Sequence, residues 1–255
     1  MRLWRDISEN PNDPKILELR RVAISKARTG RLIVDRVAFL CELVAGKSVL
    51  DVGVVEHTRA AAMSPDWLHG QLRRHATRCV GVDILEEEVK YLQEQGYSVI
   101  VADITQSPLL DKFDIIIGGE VLEHIESPGM FMKNCAAMLN TNGRLAITVP
   151  NPWYINAVLK SSFRRHTFVD SADHVAWYDA STLVELGQRH GFKLDRFTGI
   201  TVDNPQTLRG RIFFGLTPLL IALGFAPELF AKSIVYEFRR AEGIELETSG
   251  RRYAE

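Results

Sequence analysis

No two of the three cysteines, Cys41, Cys79 and Cys135, stand close enough to form a Cys-x-x-Cys pair. That argues against a thiolate metal site or a disulfide framework, and for reduced, buried thiols. A basic excess is also missing: 31 lysines and arginines face 32 acids, for a formal net charge of −1. Such a balance speaks against a broad electrostatic surface for nucleic acid, while leaving room for a local pocket for an RNA end. The opening segment, MRLWRDISEN, has no apolar core of the kind a secretion signal carries, so the expected location is cytoplasmic. Nor is there a run of the ~20 apolar residues that a membrane-spanning helix needs. The uncharged stretch 212–227, IFFGLTPLLIALGFAP, is too short and is broken by Gly215, Pro218 and Gly224. It reads first as a core or lid helix and second as a point of peripheral membrane contact.

What is present is an ordinary globular composition, 46% hydrophobic and 25% charged over 255 residues, suited to one large domain or to one domain with an insertion. β-Branched apolar runs at 48–53, 78–84, 98–104, 113–121 and 144–151 read as buried strands of a parallel sheet. Between them, ILEEEVKYLQEQG places Leu85, Val89 and Leu92 on one helix face, allows a Glu86–Lys90 pair and stops at Gly96. SPGMFMKNCAAMLNTNG begins with Ser127 as N-cap and Pro128 at the first helical position, and buries Phe131, Cys135 and Leu139. A further amphipathic helix at 181–192 and strands at 193–201 and 233–240 complete the alternation. The expectation is an open α/β sheet whose ligands bind outside the strands' carboxyl ends. Residues 1–45 form a mainly helical cover, and 46–255 the main domain, with an apolar helical insertion at about 205–232.

Asp51, Asp83, Asp103 and Glu120 each fall at or near the carboxyl end of an expected strand. Four acids facing one crevice repel one another unless they bind donors or a cation. A carboxylate after the second strand of such a sheet suits a ribose diol, because it accepts both hydroxyl protons. The bland alternative is that each acid caps a helix or starts a loop. VLDVG, CVGVDI, VADI and FDIIIGGEVLEHIESPGMFMKNCAAMLNTNGRLAITVPN together resemble the core of class I S-adenosylmethionine-dependent methyltransferases, and most of all the broad group that includes the ubiquinone-biosynthesis O-methyltransferases. The resemblance covers roughly residues 45–155, with a tail through 240. It implies a Rossmann-like, seven-stranded, mostly parallel sheet with the helical insertion before its last, antiparallel strand. It further implies that Asp51 and Gly53 approach the methionine end of the cofactor, that Asp83 with Ile84 meets the ribose side, and that Asp103 with Ile104 meets the adenine. Glu120 joins the cofactor contacts on the same grounds. The departure is Val55 and His57, which stand where the family has two further glycines. Valine resists the positive φ that glycine allows, so the turn must take another shape. Glu56 or His57 could then touch the methionine amino or carboxylate group. A domain that has lost cofactor binding is the non-enzymatic alternative. A nicotinamide enzyme is disfavoured by the lack of G-x-G-x-x-G.

In GEVLEHI, Glu120, Glu123 and His124 could converge on the crevice, with His174 of SADHVAWYDAS returning over it. Two carboxylates and imidazole suit a divalent cation such as Mg²⁺ or Mn²⁺, and a similar Glu-x-x-Glu-His occurs in small-RNA 3′-end and ubiquinone O-methyltransferases. A cation there would lower the pKa of a bound hydroxyl. Without metal, His124 would act as general base, with Glu120 or Glu123 orienting it. The third reading is a solvated helix cap. Trp67 and His69, the basic segment Arg164–Arg165–His166, and the aromatic residues Trp153, Tyr154, Trp177 and Tyr178 are weaker candidates for substrate contacts. The expected activity is O-methylation of a small-molecule, glycan or lipid-linked acceptor, with an RNA-end methyltransferase as the rival enzyme.

Overall fold

The computed structural model describes residues 6–56, 64–164, 171–201 and 206–241. Its strands are β1 (Arg28–Ile33), β2 (Ser48–Val52), β3 (Arg78–Asp83), β4 (Val99–Val101), β5 (Phe113–Gly119), β6 (Leu139–Pro150), β7 (Phe192–Ile200) and β8 (Ser233–Arg240). Its helices are α1 (Pro14–Ala27), α2 (Arg36–Val44), α3 (Leu68–His75), α4 (Glu86–Glu94), α5 (Pro128–Met138), α6 (Ile155–Arg164), α7 (Ala180–Arg189) and α8 (Leu208–Ala222). All eight strands join one sheet in the order β1-β7-β8-β6-β5-β2-β3-β4. β8 runs antiparallel to both β6 and β7, and every other pairing is parallel.

The central strands are buried on both faces, which is why they read as continuous apolar runs rather than as alternations. Ile115, Ile116 and Ile117 of β5 point to alternate faces and all are buried. On one face they and their neighbours pack under α5 and α7, through Phe131, Met132, Cys135, Leu183 and Val184. On the other they pack under α2 and α3, through Leu40, Cys41, Val44, Leu68 and Leu72. The expected Glu86–Lys90 pair forms at 2.6 Å, and Gly96 ends that segment with φ +81°. The three cysteines are free and buried. Ser127 occupies the N-cap position of α5, though its side chain makes no capping bond.

Several expectations change. The sheet has eight strands rather than seven, because Arg28–Ile33 adds an edge strand beside β7 inside the segment expected to be mainly helical. RTGRLI carries two arginines and a glycine, the charged, broken pattern of an edge strand that gains little by burial. Leu139 opens β6 instead of closing α5, and Leu85 lies exposed before α4. α8 and a 3₁₀ turn at Pro227–Phe230 stand between β7 and β8. No helix among the described residues is long and apolar enough to cross a membrane.

Phe238 is wholly buried on β8, set edge-to-face against Phe192 with ring centroids 6.2 Å apart. Phe238→Ala should lower unfolding stability by about 3–5 kcal/mol in urea titrations. A loss under about 1 kcal/mol would contradict this packing.

Candidate active site

The strand order reverses between β2 and β5, and ligands of open α/β sheets sit at the carboxyl ends beside such a switch point. β2 leads there into Gly53, whose φ is +75° and where a Cβ would collide with Val121 Cγ2. Only glycine fits both demands. The N–H groups of Gly53 and Val54 donate to the Val82 carbonyl at 2.9 and 3.4 Å. Among the described residues, the non-glycine positions with positive φ are Glu120 and Asn142. Val54 and Val55 therefore continue in ordinary backbone. Val54 is buried among Trp67, Val89 and Val99, and the Trp67 indole N–H donates to its carbonyl at 2.9 Å. Side-chain packing holds the turn that glycines usually shape.

Asp83 closes the turn from the next strand. Its Oδ2 accepts the Val55 N–H at 2.9 Å and its Oδ1 accepts the Leu85 N–H at 3.1 Å. Each oxygen keeps a lone pair, so the carboxylate can still accept two hydroxyl protons. Ile84 beside it is 67% exposed, an apolar surface at the mouth of the crevice. Asp103 follows β4 and accepts from the Thr105 hydroxyl at 2.7 Å and the Thr105 N–H at 2.8 Å. Those bonds, led by the hydroxyl, hold its carboxyl below the ordinary range. Glu56 is exposed at the end of the described stretch, and His57 lies outside the described residues.

Two residues expected near a cofactor have their side chains inside the fold. Asp51 Oδ2 lies 3.0 Å from His69 Nδ1, and both side chains are almost wholly buried. Ile104 packs into the main core while its carbonyl accepts from the Asn134 amide at 2.7 Å. His69 and Trp67 are thus structural members of the turn's support.

Glu120 has φ +57°, a conformation that costs a non-glycine residue about 1–3 kcal/mol. The surroundings hold it there: its N–H donates to the Thr148 carbonyl at 2.9 Å, and its Oε1 accepts from the Ser233 hydroxyl at 2.7 Å. Arg36 Nη1 is 3.8 Å from the same oxygen and donates to Thr148 Oγ1 at 3.3 Å. The expectation that Glu120 converges with Glu123 and His124 is corrected: the strained backbone turns it toward β8 and α2. The chain then coils into a 3₁₀ turn, Leu122–His124, carrying buried Glu123 and part-exposed His124.

The Glu123 carbonyl accepts from the N–H groups of Val175 and Ala176 at 2.9 and 3.3 Å, which ties the 171–178 loop over this turn. His124 Nδ1 consequently meets Asp173 Oδ2 at 3.1 Å. A bond from the Ser171 hydroxyl is the main reason the Asp173 carboxyl sits below its ordinary range, with His124 and His174 adding to it. The His124 and His174 rings stand edge-to-face, 4.8 Å between centroids, and Trp177 stands 5.9 Å beyond His174. One ligand atom each from Glu123, His124 and His174 falls within 4.8 Å of the others. Tyr178 is buried, and burial together with the Glu123 charge pushes its phenol up. Trp153 and Trp177 are exposed near this loop, Trp153 donating to Asp179 at 3.2 Å. Arg165 and His166 lie outside the described residues. Sequence reasoning missed Arg36, Ser233 and Asp173; only Asp173 carried a hint, as the neighbour of His174.

A cavity of about 820 Å³ lies at the opposite, amino-terminal end of the strands, bordered by Arg31, Arg144, Arg196 and Arg239. Buried Glu237 pairs with Arg144 and Arg196, and Asp195 with Arg239, so three of these arginines are engaged in ion pairs within the sheet. It takes no part in the crevice.

Comparison with known proteins adds the following. The family profile described as a methyltransferase domain matches residues 25–196. A ubiquinone biosynthesis O-methyltransferase from Parvibaculum lavamentivorans is 26% identical over 53% of this chain, and one from Coxiella burnetii is 28% identical over 61%. The chain spans 58% and 67% of those proteins' lengths. Magnesium protoporphyrin IX methyltransferase from Synechocystis PCC 6803, solved with bound SAH, shares the fold with a TM-score of 0.51, 17% identity and 93% of each chain covered.

Gly53→Ala should cost about 2–4 kcal/mol, from backbone strain and from contact with Val121. Adding Val121→Ala should return about 1–2 kcal/mol, because only the steric part is relieved. Strict additivity of the two in thermal unfolding would show that the turns carrying Gly53 and His124 are not in contact.

Proposed function

Because the chain belongs to the S-adenosylmethionine-dependent methyltransferase family, we propose that it transfers a methyl group to an oxygen of a small-molecule, glycan or lipid-linked acceptor, with His124 as general base. The observation that carries this is the contact between two turns. Gly53, at the cofactor end of β2, lies directly against Val121, and Val121 leads into the 3₁₀ turn that holds His124. A cofactor seated over Gly53 and a proton acceptor at His124 would then face the same small volume.

When bound, S-adenosylmethionine supplies an activated methyl group. Asp83 accepts the ribose hydroxyl protons, and Ile84 and Asp103 border the base. Gly53 supplies the positive φ that turns the chain at the methionine end, with Val121 packed against it, and Glu56 lies on the same loop toward the cofactor's polar end. His124 takes the acceptor hydroxyl proton, and Asp173, its Oδ2 3.1 Å from Nδ1, stabilises the imidazolium that forms. Trp153 and Trp177 wall the acceptor side. The relatives' name, ubiquinone biosynthesis O-methyltransferase, favours an oxygen acceptor. The net charge of −1 disfavours an RNA end. A turn that keeps its shape through Val54 and Trp67 disfavours a domain without cofactor.

A second reading has one specific support. Glu123, His124 and His174 present a carboxylate and two imidazoles within a few ångströms, and His174 Nδ1 is buried without a hydrogen-bond partner. These residues would suit a divalent cation such as Mn²⁺ or Mg²⁺, which would lower the pKa of an acceptor hydroxyl. Glu120 points elsewhere and would not join them.

Calorimetric titration with S-adenosylmethionine and S-adenosylhomocysteine should show micromolar binding. Asp83→Ala should weaken it by about 30-fold or more, through loss of charge-assisted hydrogen bonds. No heat from either ligand in folded protein would overturn the reading. With catechols and simple phenols as acceptors, His124→Ala should keep cofactor binding and lose about 10²–10⁴ in turnover. Loss of turnover in EDTA, restored by Mn²⁺ or Mg²⁺, would replace the base reading with the metal one.

A further inference from the structure

α6 and α8 leave the sheet at the same rim, the carboxyl end where the crevice opens. α6 follows the end of β6, and α8 follows the end of β7. Both are anchored to the segment around the Pro227–Phe230 turn. The Asn151 side-chain amide, just before α6, donates to the carbonyls of Glu228 and Ala231 at 2.7 and 2.8 Å. Phe213 of α8 stands edge-to-face with Phe230, 6.0 Å between centroids. Thr217, one turn on, is buried on the same inner side.

The outer side of α8 is apolar and exposed. Leu208, Ile212, Leu216, Leu219 and Leu223 recur on successive turns of one face, and each is more than half exposed. Phe225, just past the end of α8, is exposed too, and α6 carries its own exposed Val158, Leu159 and Phe163. A stripe this continuous is far from the scattered apolar residues of an ordinary surface. Its charges have one sign. Neither α6 nor the stretch from Gln206 to Pro227 contains an acid, in a chain with 32 acids among 255 residues. Lys160 and Arg211 are exposed beside the patch, and Lys232 stands exposed at the start of β8. An exposed apolar face flanked by lysine and arginine and by no acid within the helix is complementary to an anionic lipid surface.

We infer that the α6–α8 rim docks on an anionic bilayer surface, with the outer face of α8 in the acyl boundary and Lys160, Arg211 and Lys232 at the headgroups. This orientation sets the crevice mouth against the lipid, so a lipid-linked acceptor reaches His124 without crossing water. The consequence for the acceptor rests on the proposed methyl transfer; the docking does not.

The test is flotation of the full chain with vesicles of phosphatidylcholine alone and of phosphatidylcholine mixed with phosphatidylglycerol. Binding is expected to the mixed vesicles, much weaker binding to the neutral ones, and a decline with added salt. Ile212→Glu with Leu219→Glu should reduce binding about tenfold or more, and Lys160→Glu with Arg211→Glu should weaken it on anionic vesicles alone. S-adenosylhomocysteine titration of each variant reports whether the fold and cofactor site survive, which separates a failed docking face from a failed methyltransferase reading. No vesicle binding by the natural chain, or binding that the Ile212/Leu219 pair leaves unchanged, would overturn the inference. So would sedimentation showing a dimer that Leu219→Glu dissociates, because the face would then belong to a second copy.

Discussion

The bond from the Val55 N–H to the Asp83 carboxylate, 2.9 Å long, joins the turn after β2 to the end of β3, and the layout of the crevice follows from it. A glycine loop lets the backbone curl close to a ligand by giving up side chains. Here a single glycine, Gly53, supplies the positive φ, and the chain then straightens and is clamped. Val54 is pressed into an apolar pocket, Trp67 reaches across to its carbonyl, and Asp83 takes the next N–H. The buried Asp51–His69 contact lies beneath and supports the same clamp. Two valines can occupy this loop because packing, not backbone freedom, specifies its path.

The second constraint is the left-handed conformation of Glu120. The next residue, Val121, packs directly over Gly53, and Glu120 itself points to Ser233 and Arg36. The strain is offset by bonds to Thr148 and Ser233, which belong to β6 and β8. The turn bearing His124 is thus positioned by β6 and β8 on one side of the switch point and by the contact with Gly53, which follows β2, on the other, and the loop at 171–178 is positioned by that turn in its own right. A rigid sheet end holding a polar cluster suits chemistry that depends on orienting one oxygen.

The rim helices give the same end of the molecule a second character. The crevice is lined by carboxylates and imidazoles, and its border is apolar with basic charge.

The residues alone determined the strand-helix alternation and the acids at the strand ends, because central parallel strands need unbroken β-branched runs and helices need periodic ones; the antiparallel final strand followed from the family resemblance. They also marked Asp83, Glu123, His124 and His174. β1 escaped notice because an edge strand need not be apolar. The partners of the marked residues were decided by the tertiary structure. Asp51 and Asp83 look alike in sequence, yet one is spent on a buried histidine from α3 and the other accepts the backbone N–H groups of Val55 and Leu85 at the end of β3. Glu120 and Glu123 are three residues apart, yet a positive φ sends them to different neighbours. Asp173 meets His124 because two backbone hydrogen bonds fold a distant loop over a 3₁₀ turn. Local pattern specifies which elements form, whereas long-range packing specifies which side chains meet, and the chemistry of this site depends on the second.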